Sequence, residues 1–135
     1  MDKALNYLAI ARKAGLAELG EEPVGAVTRA GKGYLVLVAS AASDHTWRRA
    51  KSFVAGTEQQ CVRLPYSKDE MGMAVGRSSL AIAAVTDAAL ALALVKSLPD
   101  GDAAAEEALS RRTEKLNQRK KEARAHQRNL RKGKK

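Results

Sequence analysis

The sequence predicts an α/β fold: a three-layer α/β/α sandwich with a small, mostly parallel central sheet, followed by a basic C-terminal helical tail. Three observations predict it. Residues 34–39 and 80–85 are unbroken apolar runs of strand length, the pattern of strands covered on both faces. Around them lie segments with helix caps and helical spacing, and strands alternating with helices imply a sheet between helix layers. The charge is also lopsided. Residues 1–99 carry 12 Lys/Arg against 9 Asp/Glu, whereas residues 111–135 carry 12 against only Glu114 and Glu122.

Each element has a local cause. Asp2 stands where it can cap a first helix with Leu5, Leu8 and Ala9 on one side, ending near Gly15. Ala17 to Leu19 carries a weak strand signal. Gly20-Glu21-Glu22-Pro23 opens a second helix, with Pro in the first turn and acids at the positive end of the dipole. It buries Val24 and Val27 and ends at Gly31. After the strand at 34–39, Ser43 caps a helix whose Trp47, Ala50 and Val54 share a face. Cys61-Val62-Arg63-Leu64 reads as a strand, and Ser67-Lys68-Asp69-Glu70 has the spacing of a capping box. The helix it opens ends at Gly76. After the strand at 80–85, Thr86 or Asp87 caps a helix with a stripe of Leu90, Leu94 and Leu98. Pro99-Asp100-Gly101-Asp102 then marks a boundary between a domain, 1–99, and a tail, 100–135.

In the tail, the segment beginning Ala103-Ala104-Ala105-Glu106-Glu107 has high helix propensity, with acids early and bases late. Leu109, Leu116, Ala123 and Leu130 recur every seven residues, too thin a seam for a coiled coil. The expectation is a helix near the domain that frays into an arm by Gly133.

Composition bounds the function. A net charge of +9 favours a polyanionic partner. The lone Cys61 forms no internal disulfide and fits a reducing compartment. The segment from Met1 to Leu5 lacks the order of a signal peptide, and Thr86-Asp87 interrupts the longest apolar run, so a cytoplasmic, non-membrane protein is expected. No catalytic constellation is visible. His45 lies beside a helix cap without a nucleophile, His126 lies in the tail, and Cys61 sits in a strand pattern as a buried thiol. Gly31-Lys32-Gly33 is too short for a phosphate loop, and two histidines and one cysteine far apart do not make a zinc site. Neither enzyme activity nor a metal or cofactor is expected.

The order of motifs resembles the kink-turn RNA-binding ribosomal-protein superfamily, and specifically its bacterial YlxQ-like branch. The likeness runs from about Leu5 to Leu98. It is carried by Leu8-Ala9-Ile10-Ala11-Arg12-Lys13-Ala14-Gly15, by Gly20-Glu21 and by Ala30-Gly31-Lys32 before the central strand. Ala42-Ser43, Ser67-Lys68-Asp69-Glu70-Met71-Gly72 with Gly76, and Ala83-Ala84-Val85-Thr86-Asp87 complete it. The resemblance implies the same α/β/α fold and an RNA partner, ribosomal RNA in particular, with ribosomal proteins as possible neighbours. It implies RNA contacts at Gly20, Glu21 and Glu22 and in the loop 76–80, with Arg77, Ser78 and Ser79; Arg29 and Lys32 are further candidates. This chain departs from the family where the second helix opens. Glu22 stands for an Asn, Pro23 for a Glu and Ala26 for a Lys, and Ala41 stands for an Asp in the loop after the central strand. Carboxylates beside phosphates repel, so the standard kink-turn contact set is incomplete here.

The tail offers a second route to RNA. Arg111, Arg112, Arg119, Lys120, Lys121 and Arg124, followed by Arg128, Arg131, Lys132, Lys134 and Lys135, form a dense row of phosphate ligands. Two functional expectations follow: an RNA-binding, ribosomal or ribosome-associated protein, or a protein-interaction adaptor that kept the fold and offers its acidic helix start to a basic partner.

Overall fold

Leu35, Val36, Leu37 and Val38 alternate sides along one strand, yet all four are buried, so both faces of the sheet are covered. The same holds for Ile82 to Val85. These facts come from a computed structural model that describes residues 2–132, with side chains described to residue 128. The elements run α1 (Lys3–Lys13), β1 (Ala17–Leu19), α2 (Glu21–Arg29), β2 (Leu35–Val38) and α3 (Asp44–Val54). Then follow β3 (Gln60–Arg63), α4 (Lys68–Ala74), β4 (Ile82–Val85), α5 (Ala88–Lys96) and α6 (Ala103–Lys132). Helices α2 and α3 pack together, while α1 joins α5 and α4, and α5 joins α6.

The sheet order is β1-β4-β2-β3, and the sheet is mixed. β2 and β3 are parallel, but β4 is antiparallel to both β1 and β2. The expectation of a mostly parallel sheet is therefore wrong, and α4 shows why. A parallel crossover needs a helix that carries the chain back along the sheet. The seven-residue α4 packs on α1 instead, and the chain re-enters the sheet beside the end it left, with Ile82 opposite Val38 and Val38 opposite Arg63.

The caps follow the local chemistry. Ser43 Oγ accepts from Thr46 N–H, Asp87 Oδ2 from Leu90 N–H, and Ser67 and Glu70 form the reciprocal box. Each such cap is worth about 1 kcal/mol. Asp2 occupies the cap position of α1 without a side-chain bond. Three expectations of burial shift, the first at Val27 of α2, which is only half-buried. In α5 the covered stripe is Ala88, Ala91, Leu94 and Val95, with Leu90 only half-buried. Cys61 is half-buried as well, because β3 is an edge strand. Among the described residues, no helix is long and apolar enough to cross a membrane.

α6 is continuous over Ala103–Lys132, and the expected fraying at Gly133 lies outside the described residues. Asp102 Oδ1 caps the helix by accepting from Ala105 N–H at 3.0 Å. Ala105 and Leu109 belong to the same core cluster as the sheet residues. Along the seven-residue seam, Leu109 is buried, Leu116 half-buried and Ala123 exposed. The helix thus starts on the core and leaves it.

Candidate nucleic-acid interface

Hydrogen bonding fixes two ends of the sheet, and the expected RNA-facing residues divide between them. At the first end, Gly20 N–H bonds Ile82 O and Ala39 N–H bonds Ala81 O, each at 3.0 Å. The start of α2, with Gly20, Glu21 and Glu22, therefore stands beside the segment that follows Arg77, Ser78 and Ser79. Gly20 has φ 96°, a conformation that only glycine adopts without strain. Gly72 lets the loop close over α4: a Cβ there would meet Arg77 O and Ser79 N at 2.7 Å.

The chemistry of this end is mixed. Arg49 on α3 donates from Nε to Glu21 Oε1 at 2.6 Å, a link between α3 and α2 that the sequence reading did not find. Glu22 is exposed, and Asp44, Asp69 and Glu70 stand in the first turns of α3 and α4 at the same end. Acids favour helix starts, and several helix starts meet here. The candidate kink-turn contacts are brought together, but in acidic company.

At the opposite end, Gln60 N–H bonds Tyr34 O and Thr86 N–H bonds Leu16 O. Arg29 and Lys32 lie here, at the end of α2 and in the loop after it. The buried Gln59 fixes that loop: its amide accepts from Gly33 N–H at 2.8 Å and donates to Thr28 O at 3.1 Å. α6 crosses the same end. Arg112 Nη1 bonds Glu58 Oε2 at 3.2 Å, Lys115 Nζ bonds Glu58 Oε1 at 3.3 Å, and the Arg112 guanidinium lies 5.8 Å from the Tyr34 ring centroid. Lys115, then Arg112, holds the Glu58 carboxyl below its ordinary pKa.

Half-buried Tyr34 joins the pieces. One cleft beside it is lined by Arg29, Thr57, Glu58 and Arg112. Another is lined by Thr86, Asp87, Leu116 and Lys120. The geometry thus gathers Arg29, Arg112 and Lys120 about one aromatic ring, and neither Tyr34 nor Lys115 was singled out from sequence. The ring's only sequence signal was its place at the head of an apolar run.

The tail cations are not equivalent. Arg112 docks α6 onto Glu58, and Arg111 pairs with Glu107 at 3.1 Å. Among the described residues, Arg119, Lys120, Lys121 and Arg124 form no ion pair, and all four are exposed.

What this fold and surface define is an α/β domain with a mixed four-stranded sheet and a long basic helix laid across one end. No family model and no curated protein matches the chain. Solved structures do. A protein of unknown function from Bacillus halodurans matches with a TM-score of 0.66 and 24% identity, over 71% of this chain and 96% of its own. The 15.5kD RNA binding protein of Giardia lamblia matches with a TM-score of 0.60 and 19% identity, over 78% of this chain and 85% of its own. At these identities the likeness establishes the fold.

Proposed function

We propose that the protein binds structured RNA, ribosomal or ribosome-associated, in the cytoplasm and without catalysis. The observation that carries this reading is the convergence of Arg112 and Lys120 of α6 with Arg29 on the clefts beside Tyr34. In this reading the end of the sheet at Tyr34, extended by Arg119, Lys120, Lys121 and Arg124, is the main phosphate-contacting surface. Such contacts supply salt-dependent affinity and orientation, while sequence must be read elsewhere. The shared fold with an RNA-binding protein of Giardia supports an RNA partner. Membership of the kink-turn superfamily, in its YlxQ-like branch, belongs to the same proposal and rests on the motif order.

The end at Gly20 is the weaker surface in this reading. Glu22 and Ala26 withhold side-chain donors, Pro23 withholds a backbone N–H, and Glu21 is engaged by Arg49. That ion pair also takes one of the two carboxylates the adaptor reading needs. In functional terms the chain divides into a domain, residues 1–99, and a basic tail, residues 100–135, whose first turns are built into the core.

Truncation after Ser110 tests the proposal, since it keeps Ala105 and Leu109 but removes every cation from Arg111 onward. The truncated protein is expected to fold and to lose most of its affinity for a plain RNA hairpin. Equal affinity of the two proteins across a salt titration would refute the assignment.

A further inference from the structure

We propose that the exposed margin of β3 is a separate RNA contact, in which one base of a single-stranded segment stacks on the Trp47–Arg63 pair and flanking phosphates meet Arg63 and Lys51. This inference rests on the RNA-binding reading and deepens it.

The site begins with the single tryptophan of the chain. Trp47 lies on the first turns of α3, half-buried where α3 packs on β3. It packs against the core from its margin, and two cations lie against its ring. The Arg63 guanidinium is 4.8 Å from the ring centroid and the Lys51 ammonium 5.5 Å. One such pair is a common surface feature, found about once per 70–80 residues. Two on one indole, at the mouth of a cleft, are less easily dismissed. Arg63 is exposed while its guanidinium lies against the indole, so the pair offers a surface on which a base can continue the stack.

The cleft lies between this pair and the α5–α6 turn, 98–102, with a volume of about 570 Å³. That falls within the range of ligand pockets, about 300–1,000 Å³. Val62, Leu64, Pro65, Leu98 and Pro99 give it apolar walls suited to the face of a base. The charges are arranged by wall. Arg63 lines the cleft beside Trp47, whose ring also carries Lys51, and Asp100 and Asp102 line it from the α5–α6 turn. Asp102 is already engaged as the cap of α6. Asp100 is exposed; it repels a phosphate and accepts from a base amino group, which orients a strand with its backbone toward α3. Cys61, also in the cleft, stays a neutral thiol, since burial pushes its pKa up to about 11. A single strand fits this surface better than a duplex, because paired bases expose no face to stack.

Because Trp47 is the only tryptophan, its fluorescence reports on the site directly. A short oligouridylate added to the full-length protein is expected to quench Trp47 saturably. Arg63→Glu, a change at an exposed residue, should lower the oligonucleotide affinity about tenfold or more. It should leave binding of a labelled RNA hairpin, read by anisotropy, within about twofold. Trp47→Phe should weaken the oligonucleotide and spare the hairpin in the same way. Oligonucleotide binding without quenching, or with no effect of Arg63→Glu, would overturn the inference and leave the RNA-binding reading standing. Failure of both RNAs to bind would overturn the two together. Quenching by an acidic peptide and not by the oligonucleotide would overturn it in favour of a protein partner.

Discussion

Arg112 and Glu58, 54 positions apart in the chain, are joined at 3.2 Å, and through this contact the basic helix is held against the end of the sheet marked by Tyr34. Lys115 reinforces it from the next turn of α6. Glu58 is exposed, so the contact gives register and direction more than stability. α6 has its firm anchor in Ala105 and Leu109, and Glu58 decides where the following turns lie.

The first prediction concerns acid. The Glu58 pKa is lowered in the folded protein from an ordinary value of 4.5, so its contribution is complete above that value and fades as pH falls through the lower folded pKa. The amide-exchange protection of residues 112–116, corrected for the intrinsic pH dependence of exchange, should fall over that window and also at high salt. Glu58→Gln should show the lower protection already above the window and meet the parent below it. A Glu58→Gln protein with the acid response of the parent would contradict this.

The second prediction concerns the core. Val36 is 0% exposed at the centre of the sheet, and Val36→Asp places an unpaired charge there, at a cost of about 4 kcal/mol or more. Leu109 is 1% exposed, and Leu109→Ala should cost about 2–5 kcal/mol. Denaturant titration measures both. A Leu109→Ala protein as stable as the parent would mean that α6 is not part of the folded core.

Much of this fold was legible in the sequence because its causes are local. The caps at Ser43, Ser67 and Asp87 form with residues three positions on, and the covered strands declare themselves by unbroken apolar runs. Strand direction was not legible. Residues 80–85 look the same parallel or antiparallel, and what decides is where α4 packs. The sequence offered candidate contact residues but not the place each would take in the fold. Gly20 and Arg29 belong to one short helix, yet they stand at opposite ends of the sheet, and no spacing in the tail announces that Arg112 will meet Glu58. The Arg49–Glu21 pair escaped for the same reason, since its partners are 28 positions apart.

The third prediction concerns kink-turn recognition. Each missing charge-assisted contact at the start of α2 is worth roughly 1.5–3 kcal/mol, so two missing contacts weaken binding by about a hundredfold or more. The full-length protein should therefore prefer a standard kink-turn RNA only slightly over a plain duplex. Glu22→Asn combined with Ala26→Lys should restore part of the preference. A strong preference in the unmodified protein, lost when the sheared G·A pairs are replaced, would show that backbone groups and the loop 76–80 suffice.

The most direct test of the account is the salt dependence of RNA affinity after removal of four exposed charges. Arg119, Lys120, Lys121 and Arg124 are all changed to Gln in the full-length protein, leaving Arg112, Lys115 and the docking of α6 intact. Binding of an RNA hairpin is then measured across a range of salt concentrations. Release of counterions from four phosphates predicts a plot of log affinity against log salt shallower than the parent's by about 3, with much weaker binding at low salt. An unchanged slope and unchanged affinity would contradict the account, and would place the RNA contact away from the basic helix.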